Sequence, residues 1–340
     1  MAPPRIAIAG TGWAGRVHAL SSAALVGGQV AQVLSRTADG AAALGVDLGV
    51  DHGTYAELSP RCGIVVVASP AEHHAEMTID ALGRGMAVLV EKPLATTLAE
   101  ADAMVSAAAS AGVLTGYAEN LLVSPAVDAA LAHRPRMGPL THLSLRFESE
   151  APTWGHFLEP LPGGGVLHDL GAHPVALALA FAGSDPVAVS AELSSTRADG
   201  ADDRAGVGIR FADGLRAEVE VSWTATEPIW DLQAAGGNGV ARVEFLPELL
   251  VELDGDDATP SPTQSDLVDP HLETFGYVAQ LQGFVDALGG RGGRVCPLGF
   301  GRLVLEVTCA AYLSAGTGGA EVSLPYTGPR GLTPLQLWRG

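Results

Sequence analysis

Arg5-Ile6-Ala7-Ile8-Ala9-Gly10-Thr11-Gly12-Trp13-Ala14-Gly15 is the stretch that decides the fold. A short apolar strand runs into Gly-x-Gly-x-x-Gly, and a helical stretch follows to about Val26. Gly10 permits the tight turn, and Gly12 lets a pyrophosphate approach the backbone. Gly15 lets the helix pack on the strand, so that the helix's first amides face the anion. Gly-x-Gly-x-x-Gly alone is weak evidence. Set between a strand and a helix it points to a dinucleotide site, with Gly10, Thr11, Gly12, Trp13, Ala14 and Gly15 as cofactor contacts.

The flanking sequence keeps alternating. Gln29–Leu34 reads as a second strand, and Ile64–Ala68 is β-branched on both faces, as a strand buried in a parallel sheet requires. Residues 71–84 suit a helix and Ala87–Val90 another strand. Thr97-x-x-Glu100 is a capping box that opens the next helix, and Val113–Tyr117 closes the series. Strands alternating with helices predict an α/β fold with a doubly wound parallel sheet.

An NAD site usually carries Asp or Glu after the second strand to take the ribose 2′-hydroxyl. Here Ser35-Arg36 stands there, with no acid before Asp39. Serine can donate to a 2′-phosphate, and arginine can pair with its charge or stack on adenine. Ser35 and Arg36 therefore favour NADP(H) over NAD(H).

Bulk composition removes several functions. The chain has 340 residues, a length that suits two domains, and 47% hydrophobic residues, enough for a substantial core. A net charge of −19 repels nucleic acid and anionic lipid, so neither is an expected partner. No uninterrupted apolar run approaches the ~20 residues that span a bilayer, and the N-terminus lacks signal-peptide architecture. Cys62, Cys296 and Cys309 are scattered, without CxxC spacing. That argues against a disulfide framework or a zinc site and for a cytoplasmic location.

The 19 basic residues are 18 arginines and one lysine, Lys92. An ammonium can shift its pKa and trade a proton, whereas guanidinium stays charged. Lys92 sits in Glu91-Lys92-Pro93 directly after a strand, and ligands of doubly wound sheets bind beyond the strands' carboxyl ends. Composition and position agree that Lys92 is functional.

A second constellation is Gly163-Gly164-Gly165-Val166-Leu167-His168-Asp169-Leu170-Gly171-Ala172-His173. Asp169 and His173 are four apart and would share one face of a helix. Imidazole exchanges protons near neutral pH. Pro174 cannot donate to the Leu170 carbonyl and is expected to kink the helix beside His173. His168 points the other way and reads as packed or solvated. Two ligands without a nearby Cys or acidic cluster leave a metal shell unfilled, so no metal is expected. Trp154-Gly155-His156-Phe157 either lines a substrate pocket or forms a core edge. His74, following Ser69-Pro70, reads as near the cofactor rather than catalytic.

Together these pieces resemble the glucose–fructose oxidoreductase/inositol dehydrogenase/rhizopine-catabolism (Gfo/Idh/MocA) family. The matching segments are the glycine motif, Ala68-Ser69-Pro70 through His74-Ala75, Glu91-Lys92-Pro93, and Gly164-Gly165 through Asp169 and His173. The last is Tyr277-x-x-Gln280-x-x-Gly283-Phe284-x-x-Ala287-Leu288. They occur in family order over most of the chain. The resemblance implies a Rossmann domain at 1–120 and an α/β domain at 121–340 with a large open, mainly antiparallel sheet. That sheet commonly makes a homodimer or homotetramer interface. It implies Lys92, His173 and Asp169 as the catalytic set, and Ser69, Pro70, His74, Glu91 and Lys92 among the cofactor contacts. The substrate contacts would be Lys92, Asn120, Asp169 and His173, with Trp154 added from its place before the glycine run. The Lys92–Pro93 peptide is often cis in relatives. Ala118-Glu119-Asn120 departs from the commoner family pattern, in which a histidine precedes the asparagine.

Strand-like alternation at 141–149, 187–195, 207–222 and 232–253, with no helix between each pair, independently suits an antiparallel sheet. The polar stretches 196–206 and 254–271 read as mobile solvent loops. The expected activity is NAD(P)-dependent hydride transfer at a carbinol or ketone carbon of a sugar, cyclitol or related polyol. Two rivals stay open: a glycosidase that keeps NAD and works by transient oxidation and elimination, and a non-enzymatic dinucleotide or sugar sensor.

Overall fold

The computed structural model describes residues 3–153, 157–160, 164–198, 200–261 and 269–340. The chain forms two compact units. Met1–Ala95, Glu100–Ser124 and Pro262–Arg302 make the first; Thr96–Ala99, Pro125–Ser261 and Leu303–Gly340 make the second.

The first unit opens with β1 (Arg5–Ala9), α1 (Trp13–Ser21), β2 (Gln29–Ser35), α2 (Ala38–Leu48) and β3 (Asp51–Thr54). It continues with β4 (Ile64–Val67), α3 (His74–Gly83), β5 (Ala87–Glu91), α4 (Leu98–Ala111) and β6 (Thr115–Ala118). The six strands form a sheet in the order β3-β2-β1-β4-β5-β6, and every pairing is parallel. The order reverses direction at β1, so the crevice beyond the ends of β1 and β4 is the switch point where ligands bind. β4, read as β-branched on both faces, is buried along its whole length.

In the second unit α5 (Pro125–His133) leads to β7 (Leu140–Glu150), α6 (Val166–Asp169) and α7 (Ala172–Ala182). Then come β8 (Pro186–Ser194), β9 (Arg204–Phe211), β10 (Arg216–Ser222), β11 (Thr224–Gly236), β12 (Gly239–Leu246), β13 (Leu250–Leu253) and β14 (Asp256–Asp257). The chain returns to the first unit with α8 (Pro270–Thr274) and α9 (Tyr277–Leu288), and ends with α10 (Leu298–Gly316), β15 (Val322–Ser323) and α11 (Pro334–Arg339). The second sheet runs β14-β13-β12-β11-β7-β10-β9-β8-β15. Only β7 and β10 pair in parallel; the other described pairings are antiparallel. Its strands alternate: Leu143, Leu145 and Phe147 of β7 are buried with Ala217, Val219 and Val221 of β10. The intervening Glu218 and Glu220 are exposed.

Three expectations need revision. A boundary at residue 120 treats the units as contiguous, whereas α9 joins the first. Its Leu281, Phe284 and Val285 pack in one core with Ile6, Ile64 and Leu89, because the parallel sheet needs an apolar cover that the first 120 residues do not complete. The stretch 196–206 is not a solvent loop throughout. Ala201, Asp202 and Asp203 are buried, and Asp203 accepts from the Thr196 amide and hydroxyl. Nor is 254–271 loop throughout: Asp256–Asp257 forms β14 and Pro270 opens α8, while 262–268 lie outside the described residues. Finally, α10 is long and apolar enough to cross a membrane by length and composition, a match that the sequence reading did not single out. It interrupts its apolar run with Arg302 and Glu306 and buries Val304, Leu305, Val307 and Tyr312, as a core helix does.

Candidate active site

The glycine loop after β1 has the geometry its sequence promises. Gly10 has φ +133°, and a Cβ there would overlap the Ala68 carbonyl at the end of β4. A Cβ on Gly15 would overlap the Gly10 carbonyl, so α1 sits directly on the turn. Gly12 differs: a Cβ there would meet nothing within 4 Å. Gly12 is also the N-cap of α1 and supplies no side-chain cap to the helix's first amides. Open space at Gly12, at the positive end of a nine-residue helix, suits a pyrophosphate. Trp13, half exposed, stands beside it with its ring edge-on to Tyr277 at 5.8 Å.

Ser35 and Arg36 lie where β2 ends. The Ser35 hydroxyl accepts weakly from the Thr37 amide at 3.4 Å and stands where a Cβ on Gly40 would go. It is thus turned partly toward the start of α2, which Thr37 caps through the Gly40 amide. Arg36 is exposed.

Three buried groups frame the turn that holds Lys92. The Lys92–Pro93 peptide is cis, as the family resemblance led us to expect. His18 on α1 places Nε2 2.7 Å from Glu91 Oε1, and Glu91 Oε2 accepts from the Lys92 amide at 3.1 Å. Burial pushes the Glu91 carboxyl up. The His18 hydrogen bond and charge, with Lys92 and His74, outweigh that and leave it below the ordinary carboxylate value. Both Glu91 oxygens thus serve α1 and the turn itself. His74 is equally internal, with Nδ1 3.0 Å from the Pro93 carbonyl and Nε2 2.8 Å from the Ser69 carbonyl. Burial lowers its pKa against the pull of those carbonyls, so the neutral ring donates to one of them at a time. His74 therefore links the Ser69-Pro70 turn after β4 to the Lys92-Pro93 turn after β5. Lys92 itself is half-buried.

Asn120 is buried, and its amide donates to the Phe275 carbonyl at 2.7 Å. In the second unit, Asp169 and His173 do not share a continuous helix. α6 ends at Asp169 and α7 starts at Ala172, with Leu170 and Gly171 between them. The Gly171 amide reaches back to the Val166 carbonyl, and the His173 amide takes the Leu170 carbonyl at 3.2 Å. Pro174 explains that second bond: lacking an N–H, it would leave the Leu170 oxygen unsatisfied. The break therefore falls at Leu170-Gly171, before His173 rather than beside it. His173 is buried, 6.1 Å from the Trp230 ring, which stacks on Phe147 at 4.9 Å. His168 is buried, as its packed alternative required.

Lys92, the glycine loop, Ser35, Arg36, Ser69, Pro70, His74, Glu91 and Asn120 all belong to the first unit, and Asp169 and His173 to the second. Trp154 and His156 lie outside the described residues. Sequence reasoning missed His18, Trp230, Asp202 and Tyr312. A histidine within the helix that follows a glycine motif was the available signal for His18. No local pattern marks the other three.

Residues 4–119 match the model of the Gfo/Idh/MocA oxidoreductase family with its NAD-binding Rossmann fold, and residues 129–242 match the model of that family's C-terminal domain. The 1,5-anhydro-D-fructose reductase of Ensifer adhaerens is 30% identical over 232 residues, 64% of this chain and 69% of the relative. D-xylose 1-dehydrogenase (NADP(+)) 2 of Haloferax volcanii is 26% identical over 268 residues, 76% of this chain and 81% of the relative. GenD2 from gentamicin A biosynthesis, solved in complex with NAD, superposes with a TM-score of 0.82 at 25% identity, covering 95% of this chain and 97% of that one.

Proposed function

The chain belongs to the Gfo/Idh/MocA oxidoreductase family, and on that premise we propose that it moves a hydride between a nicotinamide dinucleotide and a carbinol or ketone carbon of a sugar, cyclitol or related polyol. The observation that carries this reading is the placement of the chain's single lysine. Lys92 stands just beyond the carboxyl end of β5, in the same unit as a glycine loop open at Gly12. The nicotinamide ring, when bound, gives or accepts the hydride.

Lys92 holds the oxygen as it gains negative charge and assists its proton transfer, the kind of charge stabilisation that matters most away from bulk water. His173 takes the hydroxyl proton in oxidation and returns it in reduction. Asp169 fixes the imidazole or the substrate. Asn120 and Trp154 contribute to substrate binding. Gly10, Thr11, Gly12, Trp13, Ala14 and Gly15 cradle the pyrophosphate, with Ser69, Pro70, His74 and Glu91 shaping the floor beside it.

Exposed Arg36, with Ser35, favours NADP(H) over NAD(H), since no carboxylate stands there to repel a 2′-phosphate. The nine-stranded sheet provides a surface for a homodimer or homotetramer, and the three free thiols suit the cytoplasm.

Absorbance at 340 nm tests the reading directly. NADPH should be oxidised with 1,5-anhydro-D-fructose, or NADP⁺ reduced with D-xylose or another polyol of a panel, in stoichiometric amounts. Lys92→Ala and His173→Ala should each lower kcat by about 10²- to 10⁴-fold, and His173→Ala should preserve dinucleotide affinity. Wild-type rates in both variants would end the assignment. Arg36→Ala should weaken NADPH roughly tenfold while leaving NADH unchanged, as expected for loss of one charge-assisted contact.

A further inference from the structure

The start of α6 poses an accounting problem. Gly165 is its N-cap and offers no side chain to the first amides, yet this turn is buried. Unsatisfied donors there would cost about 1–3 kcal/mol each.

Residues far along the chain meet them. The Val166 amide donates to the Asp202 carbonyl at 2.9 Å, and the Leu167 amide to Asp202 Oδ2 at 3.0 Å. The Tyr312 hydroxyl donates to Asp202 Oδ1 at 2.6 Å and is hydrogen-bonded by the His168 backbone. The Asp169 amide closes the turn on the Gly165 carbonyl at 3.1 Å. Asp202 and Tyr312 are both fully buried.

No spare room surrounds this assembly. Gly165 has φ +105°, and a Cβ on it would overlap both the Asp202 carboxylate and the Tyr312 hydroxyl. The effect also carries forward along the chain. The Val166 carbonyl accepts from Gly171, a Cβ on Gly171 would overlap the Leu167 carbonyl, and the Leu170 carbonyl accepts from His173. A shift at Asp202 thus reaches His173 through contacts that have no slack.

We propose that Asp202 and Tyr312 are positioning residues of the reaction centre, a cap borrowed from distant chain that sets the orientation of Asp169 and His173. This rests on the roles given to Asp169 and His173 above. A carboxylate serves better than an amide because both its oxygens accept: one takes the Leu167 amide while the other takes the Tyr312 hydroxyl. Asparagine would turn one of those acceptors into a donor.

The test uses Asp202→Asn, Tyr312→Phe and the double variant in the full-length chain. It measures kcat with D-xylose and NADP⁺ or 1,5-anhydro-D-fructose and NADPH, whichever pair turns over, NADPH affinity, and the His173 ring resonance in ¹³C-histidine-labelled protein, assigned with His173→Ala. Each single variant should lower kcat about 10- to 100-fold, the scale of a small misplacement of reacting groups. NADPH affinity should stay within about twofold, because the dinucleotide loop belongs to the other unit. The His173 resonance should move, and the double variant should match the worse single one. Either variant suffices if the other does not fold.

Normal kcat per NADPH-binding site with an unmoved His173 resonance would overturn the proposal. So would loss of fold in all three variants, since stability alone would then account for the assembly. If His173→Ala itself keeps the wild-type rate, the reading of the reaction centre fails first. If that variant is inactive while Asp202→Asn is normal, only this inference fails.

Discussion

Among the described helices that begin at a glycine unable to cap them, α1 and α6 are finished in opposite ways. At α1, Gly12 faces open space and nothing from its own side chain meets the first amides. At α6, Gly165 faces a wall made by Asp202 and Tyr312, and the amides are met from within the protein. Glycine at α6 is needed for closeness to a carboxylate, whereas at α1 the space above it is open. A glycine N-cap is therefore no sign of a binding site until the space above it is known. Where that space is filled, the helix start serves as an anchor.

The contrast is sharpest in paired glycine-to-alanine variants. Gly165→Ala must place a Cβ at φ +105° inside the Asp202–Tyr312 contact, and we expect a loss of about 4 kcal/mol in unfolding free energy from strain and overpacking together. Urea denaturation would show it as an earlier midpoint; a midpoint unchanged from wild type would mean that the wall yields freely.

A second expected effect is in pH dependence. Burial raises the Asp202 carboxyl from 3.8 to about 6, against the Tyr312 and Leu167 hydrogen bonds and with help from Asp203. Between those values the folded chain keeps a proton that the unfolded chain has released. This group's contribution therefore favours folding at low pH and is lost as pH rises through about 6, by up to about 3 kcal/mol. Asp202→Asn should flatten that part of the curve. Equal pH slopes in wild type and variant, read from denaturation midpoints at pH 4.5 and 7, would contradict it.

Gly12→Ala should produce the smallest change in stability, under about 1 kcal/mol, because φ is −70° and no atom stands in the way. Its cost should appear in the dinucleotide, with NADPH bound about tenfold more weakly when measured by fluorescence titration. If Gly12→Ala instead costs as much stability as Gly165→Ala and leaves NADPH affinity unchanged, the two helix starts are not the opposites described.

What could be read in the sequence follows from range. β1, the glycine loop, β4 and the turn at Lys92 show through because their signals lie within a few residues: period, β-branching, Gly and Pro. The mainly antiparallel second sheet was visible for the same reason, although 207–222 resolves into the pair β9 and β10. The borrowed cap was not visible. Leu167 and Asp202 are 35 residues apart, Asp202 and Tyr312 110, and a run of Asp and Gly in 196–206 looks like a solvated loop until its partners are known. The break between Asp169 and His173 was hidden because i,i+4 spacing is equally compatible with two helical turns separated by a bend. His18 was overlooked because a histidine on a short helix carries no local mark of the carboxylate it will meet.

The first unit also draws on a late stretch of chain, and this has a consequence during synthesis. Ile6, Ile64 and Leu89 leave the ribosome long before Leu281, Phe284 and Val285, the side chains that cover them. For most of translation the nascent strands keep an uncovered greasy face and must wait, shielded by chaperones or by loose collapse. A gene fragment stopped at codon 120 should consequently give inclusion bodies, and supplying residues 269–302 as a separate peptide should recover soluble material.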